Sequence, residues 1–130
     1  GVDIDADARQ LARAELMLAG APNCSLRKGD MYRLPFADQE FSTSIIDDVL
    51  VEARRPVRAL SEARRLLRPG GRLFIVESVT RQDANDVQRS LAAWSRDAGL
   101  RLAPVRLVPQ KNPAWVVSAA TVVGTREVAA

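Results

Sequence analysis

The chain has no histidine and a single cysteine, Cys24, in 130 residues. These two scarcities remove whole classes of chemistry. A zinc centre draws on clustered Cys and His ligands, and a Ser-His-Asp triad needs the imidazole, so neither is expected and no metal site is assigned. One cysteine cannot build an internal disulfide framework. It fits a reducing compartment, and a cytoplasmic location is the expectation. No apolar run approaches the roughly 20 residues needed to span a bilayer, and the opening residues do not read as a signal peptide, so no membrane partner is expected. Aromatic residues make up only 5% of the chain, and the arginine-dense stretch from Arg54 to Arg68 has none for base stacking.

What is present is enough for a folded domain. A length of 130 residues suits one domain, and 47% hydrophobic residues can form a core. The formal net charge is +3, and the basic residues are almost all arginine. Basic clusters can bind nucleic acid. Here the arginines interleave with an apolar helical stripe, so a solvated helix face is the preferred reading and no nucleic-acid partner is expected.

The chain is organised around Arg64 to Ser78, R-R-L-L-R-P-G-G-R-L-F-I-V-E-S. Val57, Leu60, Ala63 and Leu67 recur at helical spacing. Pro56 suits a first helical turn, and Arg64, Arg65 and Arg68 favour the negative end of the helix dipole. Pro69 stops the helix and a glycine supplies the positive φ for leaving it. Leu73-Phe74-Ile75-Val76 then reads as a strand covered on both faces, as in a parallel sheet.

Gly1 to Ile4 reads as the end of a strand. Asp5 can cap a helix from about Ala6 to Ala19, with Leu11, Ala14, Leu16 and Leu18 as candidate core positions. Gly20 to Asn23 ends it. Cys24 to Lys28 is a short strand candidate, and Met31 to Glu40 is a loop whose Leu34, Pro35 and Phe36 fold back on the core. Phe41 to Leu50 is another strand, with Asp47 and Asp48 at its end. After the organising stretch, Thr80 or Asp83 caps a third helix with a stripe of Val87, Leu91, Trp94 and Ala98, ended by Gly99. Leu100 to Val108, broken at Pro104, and Ala114 to Gly124 read as two strands. The Pro109–Pro113 connection points to an antiparallel pair at a sheet edge. This order of elements predicts a doubly wound α/β sheet.

In such sheets ligands bind outside the C-terminal ends of the strands. Asp3, Asp30, Asp47 with Asp48, and Glu77 stand at successive strand ends. A carboxylate ending the second strand suits the two hydroxyls of a ribose, because it can accept from both. Each aspartate alone reads equally well as a turn or cap residue. Together they favour a nucleotide-like ligand.

Three motifs carry a resemblance: G-V-D-I-D, then G-D-M-Y-R-L-P-F-A-D-Q-E-F-S, then A-L-S-E-A-R-R-L-L-R-P-G-G-R-L-F-I-V-E. In this order and spacing the chain resembles class I S-adenosylmethionine-dependent methyltransferases, nearest the ubiquinone/menaquinone-biosynthesis branch. The similarity runs from Gly1 to about Glu77 and more loosely to Val123. The resemblance implies a Rossmann-like, doubly wound, mostly parallel sheet with a C-terminal antiparallel hairpin. It implies S-adenosylmethionine as cofactor and a small-molecule substrate. Asp3 would hold the ribose hydroxyls, Ile4 would pack on adenine, Asp30 would accept from the exocyclic amine, and the Met31 backbone would meet the ring. Asp47 would lie near the methionine part or the acceptor. No general base is obligatory, since the sulfonium is already activated, though Asp47, Asp48 or Glu52 could assist by taking a proton.

The chain also departs from the family pattern. Ser42, Ser44, Glu52 and the Arg54-Arg55 pair before Pro56 are unusual, and the fourth strand lacks an Asn-Pro-Pro-Tyr tip, which disfavours nucleobase or glutamine-amide acceptors. The family's first strand and G-x-G-x-G loop have no counterpart within residues 1–130. The expectation is therefore a partial methyltransferase domain over 1–130, with a gap in its sheet, at most weak cofactor binding as an isolated chain, and a homodimer left open. The competing readings are a non-catalytic methyltransferase-like module for dimerisation or regulation, and a nicotinamide (NAD-dependent) dehydrogenase.

Overall fold

The computed structural model describes residues 1–109 and 114–122. The chain divides into two compact units, Gly1–Pro35 and Phe36–Ala130.

The first unit is a short β-α-β. Strand β1, Val2–Asp3, pairs in parallel with β2, Arg27–Lys28, and helix α1, Ala6–Ala19, connects them. Asp5 caps α1 by accepting from the backbone N–H groups of Asp7 and Ala8, and Gly20, with φ of 61°, ends it in the left-handed conformation. Strand β2 is shorter than the Cys24–Lys28 segment expected. The expected core positions of α1 are not buried: Leu11 and Leu18 are 64% and 89% exposed, Ala14 is exposed and Leu16 half-buried. Two strands of two residues each cannot cover a helix of 14 residues within this unit.

The second unit holds the core. Its sheet contains β3, Phe41–Asp47; β4, Leu67–Val79; β5, Leu100–Leu102; β6, Arg106–Val108; and β7, Ala114–Val122. Helix α2, Pro56–Leu66, connects β3 to β4, and helix α3, Ala84–Asp97, connects β4 to β5. Strands β3 and β4 run parallel, and β7 runs antiparallel to β4, β5 and β6. The architecture is α/β with a mixed sheet. As expected, β6 and β7 pair antiparallel across the Pro109–Pro113 connection, and the β5–β6 segment takes the sheet edge, with β7 between it and β4. Strand β4 occupies one edge of β7, so β5 and β6 share the other, split where Pro104 interrupts the ladder. Of the expected connection, residues 110–113 lie outside the described residues, as do Val123 and Gly124.

The organising stretch folds differently in one respect. Helix α2 ends at Leu66, and the ladder with β3 begins at once, Phe41 facing Leu67. The next pair is Thr43 with Arg72, so Arg68-Pro69-Gly70-Gly71 is a bulge inside β4 rather than a turn before it. Gly70 takes φ of 77°, and a Cβ on Gly71 would come within 2.8 Å of the Arg68 carbonyl oxygen and 3.2 Å of that of Ser42.

Leu50, Leu60, Leu67, Leu73, Ile75 and Leu91 are fully buried. Helices α2 and α3 touch each other and so share one face of this sheet. Leu73, Ile75, Glu77 and Val79 are buried, whereas Phe74 and Val76 are half-buried. Strand β4 thus alternates within this unit instead of being covered equally on both faces. The stripe of α3 is as expected at Val87, Leu91 and Ala98, which are buried, with Trp94 half-buried. Asp83 precedes α3 but makes no capping bond; it pairs with the Thr80 hydroxyl at 2.6 Å.

Candidate cofactor and acceptor site

Parallel pairing fixes where Asp3 and Asp30 stand. Asp3 faces Lys28 across the β1–β2 ladder, and the Gly29 N–H donates to the Asp3 carbonyl at 3.3 Å. Asp30 is the next residue. Both aspartates therefore leave the same, C-terminal end of one parallel pair, and both are exposed. Gly29 permits this closeness: a Cβ there would lie 2.4 Å from the Val2 Cγ1.

Each carboxylate does some local work. Asp3 Oδ1 accepts from the Asp5 N–H at 2.9 Å and bends the chain toward the cap of α1. Asp30 Oδ1 accepts from the Tyr32 N–H at 2.9 Å. These are Asx turns, the bland role such residues often play. They occupy one oxygen of each carboxylate. The Arg9 guanidinium donates to the carbonyls of Asp3 and Ile4, both at 3.0 Å, and fixes the backbone between β1 and α1. Ile4 is 64% exposed and Met31 half-buried. A groove of about 630 Å³ beside the C-terminal end of α1, lined among others by Leu16, Met17 and Pro22, includes none of these four residues.

Asp47 belongs to the second unit. It ends β3, opposite Val76, and is exposed. The strand stops there rather than at Leu50, because Asp48 takes φ of 56° and turns the chain. Both Asp48 oxygens accept from Ser78, from its N–H at 3.0 Å and its hydroxyl at 3.2 Å. That employment makes Asp48 a structural clip and a poor candidate for proton abstraction.

Glu77, expected at a strand end beside a ligand, sits elsewhere. Strand β4 continues past it to Val79, and Glu77 is 1% exposed. Its Oε1 accepts from the Leu50 N–H at 2.8 Å. Burial pushes its pKa up, the bond from Leu50 works against that, and the nearby Asp48 charge adds to the rise. Sequence reasoning found the residue but not this role. The legible signal was an acidic residue on the same alternating face as Leu73 and Ile75.

The loop before β3 is held by Arg65, which pairs with Glu62 at 2.7 Å and Asp38 at 2.8 Å and donates to the Phe36 carbonyl at 2.9 Å. These partners hold its guanidinium firmly protonated. Phe36 and Phe41 pack edge to face, with centroids 5.0 Å apart. Arg55 stands at the N-cap of α2 without a capping bond from its side chain. Among the described residues no helix is long and apolar enough to cross a membrane.

Comparison with known proteins shows the family of the chain. The family model described as "Methyltransferase domain" matches residues 1–75. The chain is 49% identical over 49 residues to the ubiquinone/menaquinone biosynthesis C-methyltransferase of Roseobacter denitrificans, covering 38% of this chain and 20% of that protein. It is 38% identical over 77 residues to the demethylmenaquinone methyltransferase of Paenarthrobacter aurescens, covering 59% of this chain and 30% of that protein. The matched stretches thus span a third or less of these relatives. Among solved structures, the [4+2]-cyclase SpnF superposes with a TM-score of 0.80 at 17% identity, over 95% of this chain and 65% of that one, which shows the shared fold. With the family model covering more than half of its length, the chain belongs to the methyltransferase domain family.

Proposed function

We propose that this chain contributes to methyl transfer from S-adenosylmethionine to a small-molecule acceptor. The observation that carries the reading is the common end shared by Asp3 and Asp30 on the parallel β1–β2 pair. Each carboxylate has a second oxygen to offer a ligand, so Asp3 suits the ribose hydroxyls and Asp30 the exocyclic amine of adenine. Ile4, largely uncovered, suits the apolar adenine face, and the Met31 backbone follows Asp30 directly. Asp47, at the tip of β3, is assigned to the methionine part or the acceptor. The cofactor supplies an activated methyl group on a sulfonium; the residues bind and orient. The similarity to enzymes named for ubiquinone, menaquinone and demethylmenaquinone supports a small-molecule acceptor. SpnF, a cyclase with the same fold, marks the alternative that the architecture serves other chemistry.

The test is label transfer from methyl-labelled S-adenosylmethionine to a panel of quinol and phenol acceptors. Labelled product that is lost in Asp3→Ala supports the reading. A panel left unlabelled while labelled cofactor is bound contradicts it.

A further inference from the structure

Glu77 is a buried carboxylate for which the proposed reaction has no use. The parallel β3–β4 ladder closes at Asp47 and Val76. Beyond it the chain is gripped four more times. The Asp48 N–H donates to the Val76 carbonyl at 2.7 Å. Ser78 donates twice to the Asp48 carboxylate. The Leu50 N–H donates to Glu77 Oε1 at 2.8 Å, and the amides of Val51 and Val49 also face that carboxylate. Glu77 and Ser78 are consecutive in β4, so they point to opposite faces and hold the turn from both sides.

We propose that Glu77 is a positioning residue: with Asp48 it clips the turn from Asp48 to Val51 onto β4, and so fixes the direction in which Asp47 leaves the sheet. The functional meaning of that direction rests on the proposed methyl-transfer reading, since Asp47 is there assigned to the cofactor or acceptor. The clip itself does not. A buried carboxylate is costly, and a packing role alone would be met by glutamine or an apolar residue. What the carboxylate adds is charge at the acceptor of the Leu50 bond, with the Val51 and Val49 amides near the same group. Glutamine keeps one neutral acceptor and brings an NH2 group beside those amides. Among the described residues, the charged group facing Glu77 is Asp48.

Amide spectra of the 130-residue chain, recorded from acid to neutral pH, test this. The Leu50 and Val51 amide protons are expected to share one pH transition. In Glu77→Gln that transition disappears and hydrogen exchange at Leu50 rises about tenfold, the effect of one lost charge-assisted bond, while the β3–β4 ladder amides keep their protection. Leu50 and Val51 amides that do not titrate, or that titrate unchanged in Glu77→Gln, overturn the proposal. If the variant fails to fold, the wild-type transition decides alone. Neither cofactor nor acceptor enters the measurement. A negative result here therefore leaves the methyl-transfer reading standing, and absent methyl transfer leaves the Leu50 transition in place.

Discussion

Arg65 and Asp38 lie 2.8 Å apart and join helix α2 to the loop that leads into β3. The Gln39 N–H donates to the Arg65 carbonyl at 2.9 Å in the same region, so the loop meets both backbone and side chain of one residue. Removing the guanidinium takes two charge-assisted bonds from Glu62, which is 8% exposed. Arg65→Ala is expected to destabilise by about 2 kcal/mol, mainly through those lost bonds, whereas Asp38→Ala, on the exposed side, should cost less than about 1 kcal/mol. Denaturant melts of the two variants check the difference.

The core and the α1 surface should respond unequally to the same truncation. Leu60 and Leu91 are fully buried, and Leu18 is 89% exposed. Leu60→Ala and Leu91→Ala should each cost about 2–5 kcal/mol, while Leu18→Ala should stay within about 0.5 kcal/mol. Equal losses at Leu18 and Leu60 would show that α1 buries a face against something other than β1 and β2.

Ser95 and Ser118 have buried hydroxyls without a hydrogen-bond partner among the described residues. Ser118 pairs with Ile75 on the buried side of β7. Ser118→Ala and Ser95→Ala should raise stability by about 0.5–2 kcal/mol each, because the desolvated hydroxyl is removed and little packing is lost. Calorimetry of the single variants reads this directly.

Glu77 gives stability a definite pH dependence. Burial raises its pKa in the folded chain above the ordinary value, which is roughly 4.3 for glutamate. The folded protein therefore keeps a proton that the unfolded chain releases. The contribution of Glu77 is fully present below the unfolded value and is lost as pH climbs through the folded one. The melting temperature of the wild type relative to Glu77→Gln should fall with rising pH across that window and level off above it. A difference that rises with pH would mean that the hydrogen bonds from Leu50 outweigh burial.

The three helices were legible because periodicity, Asp5, Pro56, Gly20 and Gly99 mark them locally. The Asp3 and Asp30 pairing was legible for the same reason, each following a short strand. The antiparallel pairing of β6 with β7 was legible in the short Pro109–Pro113 connection. The pairing of β7 with β4 was not, because nothing in the alternation of residues 114–122 announces a second neighbour from far along the chain. The Pro69-Gly70-Gly71 stretch was recognised as a bend, but a bulge and a turn use the same residues. The burial of α1 was misread because apolar spacing reports a face and not what covers it. Glu77 was seen as a strand-end acid because its partner, the Leu50 amide, is a backbone group that no side-chain pattern announces.

The central claim is that Asp3 and Asp30 border one adenosine-binding end of the β1–β2 pair. Amide chemical-shift mapping of the chain with millimolar S-adenosylmethionine tests it most directly, and it reads weak binding as well as strong. The largest shifts should fall on Asp3 to Asp5 and on Asp30 to Tyr32, and they should vanish in Asp3→Ala with the rest of the spectrum unchanged. No shifts at those residues, or shifts centred on the groove beside Leu16 and Met17, would contradict the account.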